Sequence, residues 1–159
     1  EELTGIPSMD KPDFNELFAE EKDMIKKLKK VFLMVAGSAV QKFGQDLEEH
    51  QQLLLAASDI LIEAYMAESA ILRAEKNVNR FGEDSQTEQI AMAKLYLYHA
   101  VDIVNQKAKE GIASFAEGDE QRMMLMGLKR FTKYDRMPNV VELRNTIAEK
   151  LTSENKYCF

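Results

Sequence analysis

A chain of 159 residues is long enough to fold as one domain around a buried core. With 45% hydrophobic and 30% charged residues it has the balance of an ordinary globular protein, and seven Gly with three Pro leave little turn chemistry for hairpins. A net charge of −6 argues against general binding to nucleic acid, and a single cysteine, Cys158, excludes an intrachain disulfide or a paired thiolate metal motif.

In chain order, EELTGIPSMDKP (1–12) holds Gly5, Pro7 and Pro12 without periodicity and reads as part of a linker over residues 1–13. No secretory apolar segment follows Glu1, and the non-Met start suggests a piece of a longer protein. The helical pattern begins at Phe14. Glu20, Glu21 and Asp23 precede Lys26, Lys27, Lys29 and Lys30, an order that complements the helix dipole and sets Asp23 one turn from Lys27. The stripe Ile25, Leu28, Phe32, Val35, Ala39, Phe43 repeats every three or four residues and stops at Gly44.

Asp46 with Glu49 resembles a capping box for a second helix that runs to Gly82. Its inner row is Leu53, Ala57, Ile60, Ala64, Ala67, Ile71, Ala74, Val78, Phe81. A parallel row of Leu54, Leu61, Tyr65 and Leu72 is expected to widen the buried face, and the helix should span roughly 50 Å. Ser85 with Glu88 suggests a cap for a third helix, which runs to about Ala116 with Ile90, Ala93, Leu97, Val101, Val104, Ala108, Ile112 and Phe115 inside. Leu95, Tyr96, Tyr98 and Ile103 put apolar surface on its other faces, which predicts cover on more than one side.

A fourth helix is predicted from about Glu120 to Tyr134, and a fifth after Pro138, capped by Asn139 and Glu142 with the stripe Val140, Leu143, Ile147, Leu151. The fold class is therefore all-α: an up-and-down bundle of four to five helices, two of them long, filling residues 14–159 as one domain.

Reactive constellations are scarce. A di-iron bundle needs Glu-x-x-His on two helices, but Leu47 precedes His50 and Tyr96 precedes His99 at that spacing. Cys158 lies in a terminal tail with no scaffold to hold a base against it. No Gly-rich phosphate loop or nucleophile elbow occurs. Glu63, Glu68 and Glu75 read as a solvated face. The Lys26, Lys27, Lys29, Lys30 cluster is a charged outer face or a peripheral membrane contact, blunted by the acids just before it. The Met123 to Met126 run reads as core packing, on a helix made basic by Arg122, Lys129, Arg130, Lys133 and Arg136.

Four segments then carry a resemblance: LMVAGSAVQKFG (33–44), SDILIEAYMAESAILRAEK (58–76), AKEGIASFAEGDEQRMMLMGLKRFTKY (108–134) and LRNTIAEKL (143–151). Together they resemble the C-terminal region of bacterial acyl-CoA dehydrogenases, most nearly the long-chain type with a helical extension like that of the very-long-chain enzymes. The resemblance implies a whole protein that uses FAD to oxidise an acyl-CoA thioester to the trans-2-enoyl-CoA, with a carboxylate base removing the α-proton and hydride passing to the flavin. It places base, flavin contacts and acyl pocket before this region, so no catalytic, FAD-binding or metal residue is assigned here. It also implies a domain that docks on the catalytic region of its own polypeptide, near a homodimer interface, in the cytoplasm or at the inner face of a membrane. A stand-alone helical interaction module is the alternative, with a metal-binding bundle behind it.

Overall fold

The computed structural model describes residues 16–156, and every regular element among them is helical. Five α-helices follow in order: α1 Ala19–Phe43, α2 Gln51–Phe81, α3 Thr87–Phe115, α4 Gly118–Phe131 and α5 Val140–Glu154. Short 3-10 segments fill Gly44–Glu49 and Asp84–Gln86. This is the expected all-α bundle, with α1, at 25 residues, nearly as long as α2 and α3. The predicted linker over residues 1–13, the start at Phe14 and Cys158 lie outside the described residues.

Ion pairs report the helix directions. Lys22 pairs with Glu75 and Lys29 with Glu68, so moving up α1 means moving down α2, and the two are antiparallel. Lys94 meets Glu21, and Lys42 Nζ donates to the Phe115 carbonyl, at the same offset of 73 positions. α1 and α3 are therefore parallel. α3 is the centre of the molecule, packing against α1, α2, α4 and α5. Leu28, Val31 and Val35 from α1, Ile60 and Ile71 from α2, Leu97, Val104 and Ile112 from α3, and Leu128 from α4 form the dry core. At Gly111 the three long helices approach so closely that a Cβ there would lie 3.2 Å from Val35 and 3.5 Å from Leu53.

Local signals hold in part. Gly44 and Gly82 end α1 and α2 with φ of 53° and 86°, values that L-residues with side chains rarely adopt. Asp23 and Lys27 pair at 2.8 Å, one turn apart as expected. Asn139 caps α5 by accepting from the Glu142 amide, and its own amide group donates to the Glu142 carboxylate.

The other two capping boxes do not form. Asp46 and Glu49 lie in the 3-10 segment, and α2 starts after His50, whose ring stacks on Phe43 at 3.7 Å. Ser85 spends its hydroxyl as a donor to the carbonyls of Phe81 and Gly82, so it closes the end of α2 instead of opening α3. In both places the positive-φ glycine leads straight into a 3-10 segment, which leaves no room for a side-chain N-cap.

Candidate functional site

The predicted site residues are dispersed. His50 is exposed at the N-terminal end of α2, while His99 on α3 lies 3.4 Å from Arg144 of α5 and edge-on to Tyr98. Among the described residues no three His, Cys, Asp or Glu side chains are grouped to hold a metal ion. None of the described helices is long and apolar enough to cross a membrane.

Glu63, Glu68 and Glu75 are not the solvated face that their spacing suggests. Each reaches across a helix seam: Glu63 accepts from the Tyr96 hydroxyl at 3.0 Å, Glu68 pairs with Lys29 at 2.6 Å, and Glu75 with Lys22. Asp59 does the same with Lys107 at 3.4 Å. Burial, aided by the Glu63 carboxylate, pushes the Tyr96 phenol up to about 12. In the lysine cluster, Lys29 is tied to Glu68, and Lys27 to Asp23 and to Asp135. Burial alone would lower the Lys27 ammonium, but those two carboxylates outweigh it and hold it above its ordinary value.

An open cleft of about 310 Å³ lies where α1, α3 and the start of α5 meet, lined by Glu20, Glu21, Lys94, Tyr134 and Arg136 among others. Its charges neutralise one another, Lys94 with Glu21 at 3.2 Å and Arg136 with Glu20 at 3.6 Å. The Tyr134 hydroxyl is buried beside it without a protein hydrogen-bond partner, and burial pushes that phenol well above its ordinary range. The cleft's two cations are thus each held by an acid of α1.

The most distinctive surface is on α2, and its side chains are sorted against expectation. The inward positions are small: Ala56, Ala57, Ala64, Ala67 and Ala74 are buried, with Leu53, Ile60 and Ile71 between them. Small residues let α2 lie close to α1 and α3. The larger row Leu54, Leu61, Tyr65, Leu72, expected to be buried, faces outward together with Leu55, Ile62 and Met66. These seven side chains are 38% to 65% exposed.

No charged residue interrupts the strip from Leu54 to Leu72. Two serines within it, Ser58 and Ser69, donate their hydroxyls to the Leu54 and Tyr65 carbonyls. The acids of α2 flank the strip on both sides and turn inward to their partners.

α3 shows the converse. Of its additional apolar side chains, Leu95, Tyr96 and Tyr98 are half-buried under its neighbours while Ile103 is exposed, so most of the cover predicted for that helix comes from within the chain. Met123 to Met126 corrects in the same sense: Met124 is buried, but Met123, Leu125 and Met126 are exposed. Leu55, Ile62 and Met66 are the surface residues that sequence reasoning missed. The available signal was the count of apolar rows on α2, which exceeds what one core face can absorb.

Fold and surface together define an all-α bundle distinguished by a long apolar helix face. The chain belongs to the acyl-CoA dehydrogenase C-terminal domain family, whose match spans residues 27–130. It is 31% identical over 138 residues to a probable acyl-CoA dehydrogenase of Bacillus subtilis (strain 168), covering 87% of this chain and 23% of that protein. It is also 31% identical to an acyl-CoA dehydrogenase from Bacillus anthracis crystallised in complex with FAD; that superposition has a TM-score of 0.88 and covers 95% of this chain and 26% of that one. The chain thus spans about a quarter of the length of these relatives.

Proposed function

We propose that this chain is the non-catalytic helical domain of an FAD-dependent acyl-CoA dehydrogenase, one that oxidises acyl-CoA to trans-2-enoyl-CoA, and that it works by packing against the catalytic region. The observation that carries this reading is the superposition of nearly the whole chain on one quarter of a dehydrogenase crystallised with FAD. FAD itself does not fit the residues described here. Its pyrophosphate would need unpaired cations or a glycine-rich cradle, yet Lys94 and Arg136 in the 310 Å³ cleft are bound to Glu21 and Glu20. The flavin and the base that takes the α-proton belong, on this reading, to the remainder of the polypeptide, which residues 1–13 would join to the bundle.

The finer parts of the proposal are a long-chain type of whole enzyme, a homodimer, and a cytoplasmic location. A peripheral membrane contact would fall near Lys26, Lys27, Lys29 and Lys30, of which Lys27 and Lys29 already hold acids.

The test is to purify the full-length product of the gene beside the 159-residue chain. The full-length protein should show a flavin absorbance spectrum that bleaches on adding a long-chain acyl-CoA, with 2-enoyl-CoA as product. The chain alone should do neither. A flavin spectrum or dehydrogenase turnover from the chain alone would overturn the proposal, as would a full-length protein without flavin.

A further inference from the structure

We infer that the outer face of α2, from Leu54 to Leu72, is the surface on which the rest of the dehydrogenase polypeptide packs; the inference rests on the proposed function and adds the place. The sorting of side chains is its first support. A bundle that lived alone would gain most by burying leucine and tyrosine and exposing alanine, because buried apolar area drives folding. Here Ala64 and Ala67 are buried while Leu61, Ile62 and Tyr65 lie outside.

The strip is also prepared for burial. The Ser58 and Ser69 hydroxyls already have acceptors within the helix, so covering them strands no donor. Asp59 and Glu68 are tied to Lys107 and Lys29, and Glu63 accepts from the Tyr96 hydroxyl, so the acids beside the strip already have partners within the bundle.

Charge and size then choose the occupant. A lipid surface with anionic headgroups recruits helices rimmed by lysine and arginine free to meet it, whereas the lysines beside this strip, Lys29 and Lys107, are held by Glu68 and Asp59. A second free copy would need to bury about 800 Å² on each partner, and one helix face about 27 Å long and about 10 Å wide is narrow for that. A segment of the same polypeptide is held at high local concentration and needs less surface. Relatives devote about three quarters of their length to polypeptide outside this region, so such a segment is available.

The test places a thiol on the strip, Tyr65→Cys in a Cys158→Ser background, in the full-length product and in the 159-residue chain. Maleimide modification is read by mass spectrometry on the peptide that carries position 65. Labelling should be about tenfold slower, or more, in the full-length protein than in the chain, and independent of protein concentration. Equal rates overturn the inference. So does protection that appears only at high concentration, which marks a second copy, or only with phosphatidylglycerol vesicles, which marks a membrane.

In parallel, Ile62→Glu in the full-length protein should expose the junction before the bundle to limited proteolysis, while Leu33→Glu on the exposed outer side of α1 should not; identical digestion of the two variants counts against docking. Absorbance of bound flavin in the same samples separates the two claims. Slow labelling without flavin sinks the proposed function and leaves the docking face standing. Flavin with fast labelling sinks only the docking face.

Discussion

Ile60 and Leu61 are adjacent in sequence and opposite in environment, the first fully buried in the core and the second 47% exposed. Truncating the buried one leaves a cavity that close-packed neighbours fill only in part. In the 159-residue chain, Ile60→Ala should therefore lower unfolding stability by about 2–5 kcal/mol, and Leu61→Ala should change it by no more than about 0.5 kcal/mol. Urea denaturation of both variants checks this; similar losses would mean that α2 is rotated from the orientation described. The sequence could not separate these two residues. Both belong to continuous apolar rows of helical period, and only the size difference, alanine-rich against leucine-rich, marks which row lies in the tight interior.

Tyr96 is a second residue whose surroundings are measurable. Its phenol, raised from 10.0 to about 12 by burial and by Glu63, stays neutral in the fold at pH values where the unfolded chain loses the proton. The sign follows directly: this contribution to stability is full below pH 10 and is lost as pH rises from 10 to 12. The stability difference between the native protein and Tyr96→Phe should narrow across that window, and a difference that stays constant would refute the assignment.

At the scale of elements, α5 stands apart. It packs on α3 alone, none of its residues is fully buried, and the expected stripe Val140, Leu143, Ile147 is only half-covered, with Leu151 exposed. A helix with so little tertiary support depends more on its own ends. Replacing Asn139 by Ala removes the acceptor for the Glu142 amide and should cost about 0.5–2 kcal/mol. The loss should be local: hydrogen exchange should speed up along α5 while α3 amides keep their protection, and uniform acceleration would show that α5 unfolds only with the whole. Asn139 was legible as a cap because the helix starts afresh after a proline-containing turn. The equally plausible Asp46 and Ser85 signatures misled because the chain leaves Gly44 and Gly82 through 3-10 geometry, a backbone preference that side-chain patterns do not encode. The core stripes of α1, α2 and α3 were legible for the opposite reason, since each repeats its apolar spacing over many turns; the exceptions are Phe81, which ends the α2 row and is exposed, and the length of α1, which makes three long helices where two were expected.

For the whole molecule, the readable part was the bundle and its family, and the unreadable part was which helix would carry spare apolar surface. α3 looked over-supplied because its apolar residues point several ways, yet a central helix with four neighbours covers Leu95, Tyr96 and Tyr98 in part and leaves Ile103 exposed. α2 leaves its richer outer row exposed because it lies at the side of the bundle, and only the number of its apolar rows hinted at that in the sequence. The same arrangement bears on the cofactor. A ligand that binds only the folded state stabilises it by about 2.7 kcal/mol at a hundredfold excess over its Kd. For a domain of this length that raises Tm by roughly 2–4 °C per kcal/mol. FAD should therefore leave the Tm of the 159-residue chain unchanged, because the 310 Å³ cleft between α1, α3 and α5 has its Lys94 and Arg136 paired with acids, whereas removing FAD from the full-length product should lower that protein's Tm by several degrees. Thermal unfolding followed by circular dichroism, with and without FAD, reads both. A rise of several degrees for the chain itself would put a flavin site inside the bundle and overturn its reading as a non-catalytic domain.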